Sequence, residues 1–281
     1  MGDGREWPTG TAIQAARVGD WACYWESGKR SAELISSERI QGIMTLKNSL
    51  VVVLGGSTGI GLATAKAAKS EGAQVIVTGR STEKLQRAQA ELGTDARTVM
   101  LDVADETGTQ KFFQELAHVD HVFITAGTLL SDKKLKPDSP TLRPAMDTRF
   151  WGALYAAKYA APKIRAGGSI TFMSGTAAWR PLVGASVASA SCGAVEAFAR
   201  ALAVDLAPIR VNTIEPGYVD TPLLDSLLGS QKNEVLAAAA ARLPVKRIGT
   251  AEDIAEAVLF LMKNGYVTGI TLTIDGGGML V

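Results

Sequence analysis

Residues 51–61 read Val-Val-Val-Leu-Gly-Gly-Ser-Thr-Gly-Ile-Gly, an apolar, β-branched run that breaks into glycines and resumes as an alanine-rich segment. A strand with no polar alternation is buried on both faces, which places it inside a parallel sheet covered by helices. Gly55, Gly59 and Gly61 let the backbone turn tightly and approach a bound group closely. The free amides and dipole at the following helix N-terminus attract phosphate. Glycines in turns often serve only the turn, but a strand before and a helix after are the context of a dinucleotide site.

The same alternation continues. Expected strands cover residues 50–54, 74–78, 97–101, 121–125, 169–174, 209–214 and 271–274. Expected helices cover 60–71, 82–92, 105–117, a long segment ending near Pro162, 187–206 and 251–262. Gly72 and Gly93 stop two of them, and Thr250-Ala-Glu-Asp253 has the form of a capping box. Strands joined by helices imply an α/β fold, a single Rossmann-type doubly wound parallel sheet with helices on both faces. Residues 44–281 read as one such domain, with a polar, helical lid at about 220–243. Residues 1–43 read as an N-terminal extension, poorly ordered or, through Trp7, Trp21 and Trp25, a partner-binding arm.

Composition narrows the partners. With 29 Lys and Arg against 28 Asp and Glu in 281 residues, there is no electrostatic reason to expect nucleic acid or an anionic membrane. Two cysteines, Cys23 and Cys192, cannot build a disulfide framework, so a reducing compartment and a cytoplasmic location are expected. No stretch reads as long and apolar enough to span a bilayer. The acidic residues of the first 43 positions do not suit a transit peptide.

The second strand ends in Thr78-Gly79-Arg80-Ser81. NAD-preferring sheets usually place a carboxylate there for the ribose 2′-hydroxyl. Here no acid repels a 2′-phosphate and Arg80 can fork onto one, so NADP(H) is the expected cofactor.

Taken together, the chain resembles the short-chain dehydrogenase/reductase family. The resemblance runs from about residue 46 to the end. It rests on Gly55-x-x-x-Gly59-x-Gly61, Leu101-Asp102-Val103, Thr125-Ala126-Gly127, Ile209-Arg210-Val211-Asn212 and Pro216-Gly217-Tyr218-Val219-Asp220-Thr221. Arg247 to Ile254, and Thr268-Gly269 followed by Asp275-Gly276-Gly277, complete the set. It implies cofactor roles for Gly55, Ser57, Thr58, Gly59, Ile60, Gly61, Arg80, Asp102, Val103, Ala126, Gly127, Pro216, Gly217, Val219 and Thr221. Asp102 would accept a bond from the adenine amino group, and the segment 216–221 would hold the nicotinamide carboxamide. It also implies assembly through two long helices as a homodimer or homotetramer.

The catalytic positions depart from that family. Its Asn, Ser, Tyr and Lys correspond to Arg149, Gly175, Ala188 and Cys192 in this chain, with Ala194-Val195-Glu196-Ala197-Phe198 setting the register. Ala188 cannot move a proton, a loss that typically costs about a hundred- to ten-thousand-fold in rate. Arg149 can stabilise an alkoxide or bind an acidic substrate, or else be a structural arginine paired with a carboxylate such as Asp147. Ser174 is a weaker catalytic candidate, because a strand-end serine often only bonds backbone. Cys192 reads as a small buried cysteine, and His118 and His121 as surface residues. Two functions remain open. One is an NADP(H)-dependent oxidoreductase acting on a small-molecule carbonyl or alcohol through a non-standard site. The other is a catalytically inactive NADP(H)-binding sensor or partner protein. No metal site is expected.

Overall fold

The structure is a computed structural model and describes residues 45–128, 132, 135–181 and 183–281. The expectations for the N-terminal extension fall outside these residues. Seven strands form one parallel sheet in the order β3-β2-β1-β4-β5-β6-β7. They are β1 (Leu50–Leu54), β2 (Gln74–Gly79), β3 (Arg97–Met100), β4 (Val119–Ile124), β5 (Ile164–Met173), β6 (Arg210–Pro216) and β7 (Thr271–Ile274). The chain winds outward from β1 in one direction to β3 and then in the other from β4 to β7. The crevice beyond the carboxyl ends of β1 and β4 is therefore the switch point where such sheets bind ligands.

The apolar run of β1 divides its side chains between the two faces, as a strand of period two must. Val51 and Val53 join the core under α1 (Gly59–Ser70), α2 (Thr82–Leu92) and α9 (Ala251–Lys263). Val52 and Leu54 join the opposite core with α3 (Glu106–Gln114), α5 (Gly152–Ala160) and α6 (Ser186–Asp205). The expected capping box is formed: Thr250 Oγ1 accepts from the Asp253 amide and the Asp253 carboxylate accepts from the Thr250 amide.

Three expectations are corrected. The long helix before Pro162 is not continuous: α4 (Ser139–Met146) passes through a π-helical turn, Asp147–Trp151, before α5 begins. At 20 residues, α6 does have the length and composition of a membrane span. Its inner side, with Ala188, Cys192, Val195, Glu196 and Ala199, is buried in the fold. His121 is not a surface residue. It is 7% exposed in β4, and its Nδ1 lies 2.9 Å from Ser169 Oγ. Burial, reinforced by the charge of Arg210, lowers its pKa to about 4.

A neutral buried histidine has a consequence for acid stability. Its folded pKa lies below its unfolded value of 6.5, so its stabilisation is complete above pH 6.5 and is lost as pH falls towards 4. Chemical denaturation at pH 7 and pH 4.5 is expected to show a loss of up to about 3 kcal/mol from this group. His121→Gln should show a shallower pH slope in the same window. Equal slopes would contradict the assignment.

Candidate active site

The glycine turn is held by the carboxyl ends of the strands beside β1. The amides of Gly55 and Gly56 both donate to the Thr78 carbonyl at 3.1 and 2.9 Å, and those of Thr125 and Ala126 donate to the Leu54 carbonyl at 2.9 and 3.1 Å. Gly55 has φ +92°, and a Cβ there would stand 2.7 Å from the Ala126 nitrogen. At Gly61 a Cβ would stand 2.4 Å from the Gly55 carbonyl oxygen. The turn is thus folded back on itself too tightly for side chains. The close packing brings the first turn of α1 to the crevice. Thr58, its N-cap, makes no side-chain capping bond, and no acid occupies the first turn. Side-chain caps are present at α2, α4 and α9, from Ser81, Asp138 and Thr250, and are absent from α3, α5 and α6 as from α1, so it is the place of the α1 terminus in the sheet that sets it apart. An uncapped N-terminus at a switch point suits a phosphate-bearing ligand.

The other residues expected at a cofactor gather around this turn. Ser57 lies against the end of β2, since a Cβ on Gly79 would stand 2.8 Å from Ser57 Oγ. Arg80 follows directly, its Nη1 3.9 Å from the Asp102 carboxylate in an exposed pair. Asp102 also accepts from the Ala104 amide at 3.0 Å. Val103 is buried against Gly152. On the far side, a Cβ on Gly59 would stand 3.5 Å from Thr221, so the segment 216–221 folds over the glycine turn. That segment is fastened by Gly217, whose amide donates to the Ile274 carbonyl at 3.0 Å, and by pairing of Val219 with Gly249. It leads into α7 (Pro222–Leu228) and α8 (Lys232–Arg242), the two helices of the expected lid region.

Arg149 reaches this site from the π-turn. Thr148 is fixed first: its hydroxyl donates to the Pro144 carbonyl at 2.8 Å and accepts from the Thr128 amide at 3.1 Å. This ties the loop after β4 to the turn. Arg149 is 5% exposed. Its Nη1 donates to the carbonyls of Met173 and Ser174 at 3.1 and 3.3 Å. Its Nη2 lies over Gly127, 2.9 Å from where a Cβ would stand. Its partners are main-chain carbonyls at the end of β5, not Asp147. The guanidinium is therefore wedged between the Ala126-Gly127 end of the cofactor crevice and the strand end that carries Ser174.

Ser174 turns inward. Its hydroxyl lies 2.5 Å from a carboxylate oxygen of Glu196, and the Cys192 carbonyl is 3.4 Å away. Glu196 is 2% exposed. Sequence reasoning used it only to set a register, and one acid in an alanine-rich helix carries no signal of this contact. A second buried acid, Glu215 at the end of β6, accepts from Thr273 Oγ1 at 2.6 Å. Burial pushes its carboxyl above the usual carboxylate range, helped by Glu196 and Asp275. Gly175, Ala188 and Cys192 lie together: a Cβ on Gly175 would stand 3.8 Å from Cys192 Sγ, and Ala188 and Cys192 are both buried on α6.

Comparison with known proteins places this architecture. Residues 55–278 match a family model described as Enoyl-(Acyl carrier protein) reductase. The chain belongs to the short-chain dehydrogenase/reductase family. A relative from Acremonium sp., short-chain dehydrogenase/reductase ucsE, is 35% identical over 84% of this chain and 97% of its own. Among solved structures, the MalC reductase/Diels-Alderase from Malbranchea aurantiaca superposes with a TM-score of 0.79 at 29% identity, covering 85% of this chain and 99% of that one. A small-chain dehydrogenase in complex with NADPH superposes with a TM-score of 0.72 at 33% identity, covering 84% of this chain and all of that one. A chain of this family binds a nicotinamide cofactor and acts as an oxidoreductase.

The glycine turn allows a direct test. Gly61→Ala forces a methyl group onto the Gly55 carbonyl. Overpacking of this kind costs roughly 1–3 kcal/mol, so thermal unfolding should shift down by several degrees. Nicotinamide cofactor affinity should fall with it. An unchanged melting temperature together with unchanged affinity would show that the close packing is not required.

Proposed function

We propose that the chain is an NADP(H)-dependent oxidoreductase that interconverts a carbonyl and an alcohol without a side-chain proton donor at position 188. The observation that carries this reading is the placement of Arg149, a buried guanidinium lying on Gly127 and held by the Met173 and Ser174 carbonyls. When bound, the reduced nicotinamide supplies a hydride. Gly55, Ser57, Thr58, Gly59, Ile60 and Gly61 would hold its phosphates, and Asp102, Val103, Ala126 and Gly127 its adenosine side. The segment with Pro216, Gly217, Val219 and Thr221 would hold the nicotinamide.

Arg149 serves as a fixed positive charge for the oxygen that becomes negative as the carbonyl carbon accepts hydride. Such preorganised charge in a water-poor site needs no reorganisation during the reaction. An arginine remains charged and is a poor acid, so the proton that completes the alcohol comes from solvent water. In the oxidative direction the hydroxyl proton leaves to water by the same route. The inward turn of Ser174 towards Glu196 makes it a support for the strand end that anchors Arg149. Preference for the 2′-phosphate rests on Arg80, whose pairing with Asp102 is exposed and therefore weak enough to exchange for a phosphate. The relative solved with NADPH supports the same choice.

Two measurements test this. In a fluorescence titration, Arg80→Ala should weaken NADPH by about tenfold or more, the order of one charge-assisted phosphate contact, and leave NADH nearly unchanged. Equal losses for both would remove the 2′-phosphate assignment.

A carbonyl panel with NADPH tests the mechanism. Arg149→Lys should lower kcat/KM on the best substrate by about a hundredfold, in line with loss of a directed charge contact. It should leave the dissociation constant of NADPH within about threefold, a change of less than 1 kcal/mol. Turnover of the unaltered chain should slow in D2O. Tight NADPH binding with no turnover on any carbonyl would overturn the oxidoreductase reading and leave a nucleotide-binding protein.

A further inference from the structure

We infer that Lys232 is a positioning residue for the nicotinamide end of the cofactor: paired with Asp220 and Asp225 together, it holds α7, and with it Thr221, against the glycine turn. The inference rests on the oxidoreductase reading above and adds a residue to the cofactor segment of that same site. Lys232 Nζ lies 2.6 Å from Asp220 Oδ1 and 2.5 Å from Asp225 Oδ1. The hydrogen bonds to Asp220 and Asp225 raise the Lys232 pKa, so the ammonium keeps its charge at neutral pH.

The three groups belong to three pieces of chain. Asp220 lies in the segment 216–221, Asp225 in α7, and Lys232 opens α8. The first piece is fixed. The Asp220 amide donates to the Gly249 carbonyl at 3.0 Å, and the Gly249 amide donates to the Tyr218 carbonyl at 3.0 Å. The other two are held less firmly. α7 has seven residues and stops at Gly229, with φ +52°. α7 and α8 pack chiefly on each other and on the turn Gly229–Gln231 between them. Leu236 is the buried residue of α8, and neither helix is capped by the side chain of its N-cap residue, Thr221 or Gln231. Elements with so few buried apolar contacts open easily, so their polar ties decide where they lie.

Lys232 returns the chain to its own stem. Its bond to Asp220 closes the loop of residues 220–232, and its bond to Asp225 fixes α7 inside that loop. The start of α7 is the part that meets the cofactor site: a Cβ on Gly59 would stand 3.5 Å from Thr221 and 3.7 Å from Pro222 Cδ. Exposed pairs of one acid and one base contribute little. Here the cation is the covered member, its side chain 19% exposed against 58% for each carboxylate. One ordered lysine also serves two acids. Without it, two like charges would face each other and drive Asp225, and α7 with it, away from Asp220.

The test is a titration with two probes, NADPH and adenosine 2′,5′-bisphosphate, which lacks the nicotinamide half. Lys232→Met should weaken NADPH by about tenfold and leave the bisphosphate within about twofold, since the adenosine end is held elsewhere. Hydrogen exchange at the amides of residues 222–231 should quicken in the same variant. Lys232→Arg should bring NADPH affinity back to within about twofold of the native chain, because a guanidinium can serve both carboxylates. Asp220→Asn added to Lys232→Met should cost no more than Lys232→Met alone, as expected when both changes break one interaction.

Equal losses for NADPH and the bisphosphate would make Lys232 a general brace of the fold and overturn the inference. So would native NADPH affinity in Lys232→Met, or losses that add when Asp220→Asn is combined with it. Failure of the native chain to bind NADPH is read in the same titration and counts against the cofactor reading itself. Hydrogen exchange without cofactor then decides the clasp, and an unchanged rate at residues 222–231 in Lys232→Met would overturn it.

Discussion

Two carbonyl oxygens, those of Leu54 and Thr78, each accept two amides at the carboxyl edge of the sheet. Together they hold the glycine turn between β2 and the segment after β4. Without that double fastening Gly55 could not lie against Ala126, and Gly61 could not lie against the Gly55 carbonyl. The helix that follows would then not bring its uncapped N-terminus to the switch point. The requirement propagates outward. Because Thr125 and Ala126 are fixed by Leu54, Gly127 and Thr128 are placed for Arg149 and Thr148 to meet them. The cofactor crevice and the reacting end of the site are therefore one construction, set by how closely backbone can approach backbone around β1.

This explains which parts of the molecule were legible in the amino-acid order. The strand of Leu50–Leu54 and the capping box at Thr250 and Asp253 are local patterns, decided by residues adjacent in sequence, and both occur where expected. The π-turn at Asp147–Trp151 is not local. It is stabilised by Thr148 reaching Thr128, a contact between segments twenty residues apart, so periodicity alone reads straight through it. His121 failed for a related reason. It stands beside Asp120 in a strand with one polar flank, which looks like a strand start at the surface. Yet β5 and β6 lie beyond it and enclose it against Ser169. Arg149 was singled out from its position, but its partners could not be foreseen, because a carbonyl acceptor leaves no mark on the sequence.

The electrostatics of the reacting end follow from the same burial. Arg149 and Glu196 both bind Ser174, one at its carbonyl and the other at its hydroxyl. Neither forms a direct ion pair among the described residues. Through that hydroxyl contact the acid holds Ser174, and with it the strand end whose carbonyls Arg149 meets.

The remaining argument concerns the route of the proton. With alanine at position 188 and the Ser174 hydroxyl directed inward to Glu196, neither of these positions offers the cleft an acidic side chain. In the proposed reaction hydride transfer to a carbonyl must nevertheless end with a protonated oxygen, so water would have to reach the product while the charge on Arg149 would hold the developing oxyanion. In that reaction the position of the oxygen would be set by Arg149 before its proton arrives, so that charge and proton would reach the same atom from different sources.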